Sequence, residues 1–139
     1  MKSDIDYGRS IGAVIGGYFT MMGLTTISLF LVGKLFLSPP PVGQMPTFTT
    51  TYLLGMLLIS FGAAFVGGYV TGAIAGVYRL AHALVLAGII LALAILFLAL
   101  PPQAFPGREF FPLWYPYTSA LTTPLGIVMG GWVRQRKAA

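Results

Sequence analysis

Residues 67–76 read GGYVTGAIAG, an uncharged stretch that sets Gly68, Gly72 and Gly76 four residues apart. In a water-soluble helix each interior glycine costs about 1 kcal/mol relative to alanine, so a row of three has no obvious use there. In a bilayer the same row is a packing surface. Lipid tails are as apolar as leucine, so membrane helices associate through close backbone approach, which small residues at i and i+4 permit.

Composition points the same way. Of the 139 residues, 57% are hydrophobic and 8% charged, against roughly a quarter charged in a soluble domain. The chain therefore reads as an all-α integral membrane protein, one domain over residues 1–139. The three acids, Asp4, Asp6 and Glu109, lie outside the long apolar runs, and so do the basic residues, with Lys34 and Arg79 at run ends. There is no cysteine, which excludes disulfides, thiolate metal sites, iron–sulfur clusters and cysteine nucleophiles. The net charge of +5 reflects membrane topology rather than a nucleic-acid partner.

About 20 apolar residues cross a bilayer core, and four spans are expected, at about 11–33, 51–77, 81–100 and 116–133. The first apolar run, Ile11 to Gly33, covers 23 residues. A signal peptide has an apolar region of about 7 to 15, so this run reads as a retained helix. Between the first two spans, Pro39, Pro40, Pro41 and Pro46 stiffen the connection and rule out helix. Arg79 marks a tight reversal between the second and third spans. Beyond Pro101 and Pro102, the aromatics Phe105, Phe110, Phe111, Trp114 and Tyr115 cluster around Pro106 and Pro112. Tyrosine and tryptophan concentrate at headgroup depth, so this loop is expected along the membrane interface. Pro124 is expected to kink the fourth span.

Alternate loops differ in basic residues. One side holds Lys2, Arg9, Arg79, Arg134, Arg136 and Lys137; the other holds Lys34 and Arg108. The positive-inside rule then puts both termini in the cytoplasm and predicts an antiparallel up-down four-helix bundle in a cell (inner) membrane. In this reading Arg9, Arg79, Arg134, Arg136 and Lys137 are topology anchors that also meet anionic lipid headgroups.

With that orientation a weak repeat emerges. IGAVIGGYFT (residues 11–20) aligns without gaps on GAAFVGGYVT (residues 62–71), with identities at Ala13/Ala64, Gly16/Gly67, Gly17/Gly68, Tyr18/Tyr69 and Thr20/Thr71. A Gly130–Gly131–Trp132–Val133 variant closes the fourth span. The expected packing glycines, Gly12, Gly16 and Gly17 on the first helix, Gly68, Gly72 and Gly76 on the second, and Gly126 and Gly130 on the fourth, all fall in the cytoplasmic half. Gly68 and Gly72 in particular are expected to face another helix.

Few residues carry chemistry. His82 is the single histidine. A neutral imidazole at membrane depth can ligate a haem iron or a chlorophyll-type pigment, and the plainer reading is an interfacial ring bonded to a backbone carbonyl. Hydroxyls at Tyr18, Thr20, Tyr69, Thr71, Thr118, Ser119, Thr122 and Thr123 either line a polar path or make helix-to-helix hydrogen bonds. No Asp or Glu lies in a span, and the chain has no HExxH, no phosphate loop and no acid/base pair. A non-enzyme with no resident metal or cofactor is expected.

The run GGYVTGAIAG–VYRL–AHALVLAGII (residues 67–90), together with PLGIVMGGWVRQRK (residues 124–137), resembles small uncharacterised bacterial four-helix membrane proteins. In these, a Gly-Gly-Tyr helix turns through a short basic loop into a His-Ala-rich helix, and the last span ends in Gly-Gly and arginines. The likeness covers about a third of the chain; Gly-Val-Tyr precedes Arg79 where such proteins are often more basic. It implies a bacterial inner-membrane setting and carries no activity.

Three functions compete. The first is an accessory or structural subunit of a larger membrane complex, in contact with lipids and with other membrane subunits or copies of itself. The second is a small oligomeric transporter or channel for a neutral or hydrophobic solute. The third is a pigment- or cofactor-holding subunit using His82. The first is preferred because nothing ionised needs burying and the small-residue faces invite packing.

Overall fold

The computed structural model describes residues 7–36, 48–101, 104 and 108–137. They form four helices, α1 (Tyr7–Phe36), α2 (Thr50–Ala75), α3 (Arg79–Ala99) and α4 (Trp114–Arg136), with a 3-10 turn at Arg108–Phe110 before α4. Three of them, α1, α2 and α3, are long and apolar enough to cross a membrane. The fourth has 23 residues, about 35 Å of helix at 1.5 Å per residue, but Thr118, Ser119, Thr122 and Thr123 dilute its apolar character. It runs unbroken through Pro124.

Local chemistry sets the helix ends. The side chain of Thr49 accepts a hydrogen bond from the Tyr52 amide at 3.3 Å and so caps α2. Gly76 ends that helix at φ 73°, a value glycine adopts without a Cβ clash, and Tyr78 follows in the left-handed region at φ 48°. The second helix therefore stops at Ala75, two residues before the expected end, and the reversal is complete by Arg79. At the far end of α3, Arg108 donates from Nη1 to the carbonyls of Phe97 at 2.9 Å and Leu100 at 2.8 Å, and from Nη2 to Leu98 at 3.3 Å. A cation on the last carbonyls of a helix satisfies orphan acceptors and opposes the negative end of its dipole.

Helix α2 is the centre of the packing. Against α1 it runs antiparallel: a Cβ placed on Gly17 would stand 2.8 Å from the Gly67 carbonyl oxygen, and one on Gly67 would stand 2.8 Å from Met21 Cβ. Against α4 it runs parallel. A Cβ on Gly126 would lie 2.9 Å from the Phe61 carbonyl oxygen, one on Gly68 would lie 2.8 Å from Ile127 Cα and overlap the Ile127 carbonyl, and one on Gly130 would overlap the Phe65 carbonyl. Successive helical residues point about 100° apart, so the adjacent Gly67 and Gly68 serve different neighbours, α1 and α4. Helix α3 closes the group where Ala83 sits over Gly131. The core is small-sided, with Ala64, Ala83 and Ala87 joined by Met21, Leu86 and Ile127.

The two copies of the repeat meet at this crossing. Thr20 donates to the Gly16 carbonyl at 2.7 Å and Thr71 to the Gly67 carbonyl at 2.9 Å, the same bond at equivalent positions. Thr71 is fully buried beneath Gly17.

Several glycines differ from expectation. Gly12 has nothing within 4 Å. The buried stripe of α1 is Ala13, Gly17 and Met21, spaced by four, and Gly12 lies a residue away from it, about 100° around the helix. Gly16 touches only the tip of Ile74. Gly76 is the terminator of α2 rather than part of a packing ridge. Gly72 does face neighbouring helices, through arginine stems and not through backbone. Conversely, Gly67 and Gly131 stand at crossings, although neither belongs to the expected set.

Candidate functional site

The C-terminal end of α2 gathers cations from three other helices. Both Arg79, the first residue of α3, and Arg134, near the end of α4, lay their stems on Gly72: a Cβ there would be 3.4 Å from Arg79 Cβ and 3.3 Å from Arg134 Cβ and Cγ. A side chain at position 72 would press on both stems, so the glycine leaves them room. One turn further on, Arg9 of α1 donates from Nε to the Ile74 carbonyl at 2.6 Å, and its guanidinium would lie 2.6 Å from a Cβ on Gly76. The Arg134 guanidinium lies 5.5 Å from the Tyr69 ring centroid, and the Lys137 ammonium lies 5.8 Å from the same ring. An aromatic face holds cations by its quadrupole without neutralising them.

The Nε atoms of Arg79 and Arg134 are buried and have no hydrogen-bond partner. Among the described residues the single acid, Glu109, belongs to the Arg108–Phe110 turn at the opposite end of α3. Asp4, Asp6 and Lys2 lie outside the described residues. Guanidinium groups are donors only, so Arg79 and Arg134 can hold an anion.

Arg136 stands apart from the cluster, exposed, with its guanidinium 3.8 Å from the Trp132 ring centroid. His82 lies one turn into α3, with Nδ1 3.0 Å from the Tyr78 carbonyl oxygen. A carbonyl oxygen only accepts, so Nδ1 is the donor in this bond. Among the described residues no three His, Cys, Asp or Glu side chains come together.

At the other end, four rings stack in sequence. Tyr52 lies 5.6 Å from Phe48, Phe48 lies 5.1 Å from Phe111, and Phe111 lies 5.1 Å from Tyr115, with Trp114 edge-on to Tyr115 at 5.9 Å. Of the expected interface aromatics, Phe111, Trp114 and Tyr115 join this assembly, Phe110 is half-buried in the turn, and Phe105 lies outside the described residues. Phe48 and Tyr52 give no sequence signal of their part in it, since Phe48 and Phe111 are far apart along the chain and only the fold stacks them.

Five of the eight hydroxyls are committed locally. Besides Thr20 and Thr71, Thr118 donates to Trp114 at 2.8 Å, Ser119 to Pro116 at 3.0 Å and Thr122 to Thr118 at 3.0 Å, each within its own helix. Two open hollows lie on the surface: an apolar one of about 310 Å³ between α1 and α3, floored by Val14, Tyr18, Leu86 and Leu93, and a largely apolar one of about 480 Å³ between Val32 of α1 and Thr51, Tyr52, Gly55 and Ile59 of α2. No family model, curated protein or solved structure matches this chain.

Proposed function

We propose that the chain crosses a cell (inner) membrane four times, α4 included, with both termini on the cytoplasmic side, and serves as an accessory subunit that packs against a larger membrane complex. The topology rests on the basic residues: Arg9, Arg79, Arg134 and Lys137 meet at one end of the bundle, as the positive-inside rule asks of a cytoplasmic face. The subunit reading rests on α1. Only 11% of its most apolar stretch is buried within the chain, against 33% for α2.

Three of its glycines, Gly12, Gly23 and Gly33, have nothing within 4 Å. The first two are eleven residues apart, about three turns, and so share one side of the helix. A glycine turned to lipid gains no contact, whereas one turned to another helix permits close approach. A hydroxyl-lined permeation route is less well supported, because Thr20, Thr71, Thr118 and Thr122 donate to carbonyls of their own helices.

Solubilisation in a mild detergent at native expression level tests the reading. The chain is expected to co-migrate with larger membrane subunits on a native gel, and cysteine crosslinkers at positions 12 and 23 are expected to capture them. A stable monomer with no crosslinked product would overturn it.

A further inference from the structure

We propose that Arg79 and Arg134, with the open N-terminus of α3, form a binding site for one phosphate group, carried by an anionic lipid headgroup or free as inorganic phosphate. The proposal stands on side-chain geometry and does not depend on a partner complex.

Three independent features converge. First, the stems of two half-buried arginines from different helices both border Gly72, and the Nε of each is buried without a hydrogen-bond partner. A buried N–H left unmade is costly, so each arginine would gain from an added acceptor. Second, Arg79 opens α3, and no side chain caps that 21-residue helix at its N-terminus. The first-turn N–H groups lack intrahelical acceptors and carry the positive end of the dipole, which is the ordinary setting for an oxyanion. Third, the Arg134 and Lys137 heads both stand near the Tyr69 ring, at 5.5 and 5.8 Å, and no carboxylate among the described residues pairs with them.

The acceptor this set fits is tetrahedral and multiply charged. Two planar guanidinium forks offer paired parallel donors, which match phosphate oxygens better than a single carboxylate shared between them. In a membrane-embedded chain the site is at headgroup depth, where phosphates are abundant.

Purified full-length chain in detergent micelles is titrated with phosphatidic acid, with phosphatidylcholine and with inorganic phosphate, and bound species are counted by native mass spectrometry. One phosphatidic acid is expected to be retained in preference to phosphatidylcholine, with R79Q and R134Q each weakening retention at least about tenfold and R136Q, at a headgroup anchor outside the pair, weakening it several-fold less. Displacement of the lipid by inorganic phosphate would identify a soluble phosphate as ligand, and resistance to displacement would identify the headgroup; either supports the site. If the glutamine variants fail to fold, the R79K/R134K chain keeps both charges and is expected to bind more weakly than the native chain through loss of the paired donors.

Equal weakening by R136Q and R134Q would reduce the effect to general charge and overturn the proposal. Native affinity in R79K/R134K would do the same. Binding that emerges only in a D4N/D6N chain would assign the guanidinium groups to the chain's own carboxylates and would also overturn it.

Discussion

At the arginine end, α2 meets its neighbours through backbone, with Gly67 against Gly17 and Gly68 against Ile127, whereas at the opposite end α2 and α4 are joined by rings. There Phe48 and Phe111, both outside the helices, stand between Tyr52 and Tyr115 in three stacking steps of 5.6, 5.1 and 5.1 Å. The same pair of helices thus uses opposite devices at its two ends. Absence of side chains permits a crossing and leaves no room for error. Large flat side chains bridge a wider gap and tolerate change, because they make contact through area rather than through a single point of approach.

The comparison is most directly broken at Gly68. A G68L chain must place a side chain where the Ile127 carbonyl stands, and overpacking of this kind, aimed at backbone, is expected to cost at least about 3 kcal/mol. Equilibrium unfolding in detergent should show the loss, and a G68L chain of native stability would mean that α2 and α4 do not cross there. At the ring end, F111L removes the middle of the stack. With about 0.5–1.5 kcal/mol per aromatic pair, the expected cost is about 1–3 kcal/mol by the same measurement, with retained helicity.

A smaller effect is expected from R108Q. It loses the guanidinium that bonds the last carbonyls of α3, worth about 0.3–1 kcal/mol for a cation at a helix C-terminus. Hydrogen exchange should rise at the last turn of α3 and not at Gly67 or Gly68. The smallest change is predicted at Gly12, which has open space where a Cβ would go. In the isolated chain G12A should be neutral or stabilising by up to about 1 kcal/mol through helix propensity; a destabilised isolated chain would mean that position 12 packs against another helix of the same chain.

How far the chain could be read follows from these positions. Helix number and approximate bounds follow from long apolar runs punctuated by proline and basic residues, because the hydrocarbon core demands a continuous apolar length whatever the neighbours are. The glycine-rich character of the crossing was likewise legible in GGYVTGAIAG. Which glycines make contact was not. Gly12, Gly16 and Gly17 look alike as letters, yet only Gly17 lies on the Ala13–Gly17–Met21 stripe that α2 covers. A shift of one residue turns a glycine about 100° around its helix. The arginines show a similar division: their shared end follows from loop charge, but the meeting of Arg79 and Arg134 over Gly72 needed the crossing geometry of α2, α3 and α4.

By itself, then, the sequence determined the class of environment, the apolar segments and the uneven distribution of charge, all of which depend on composition along a single stretch of chain. Tertiary structure alone decided that Gly67 serves α1 while Gly68 serves α4, that Gly76 is a terminator, that Phe48 stacks on Phe111, and that two arginines with unbonded Nε atoms share one glycine floor. Each of those outcomes depends on the rotation of one helix against another, which interhelical packing sets and no local pattern encodes.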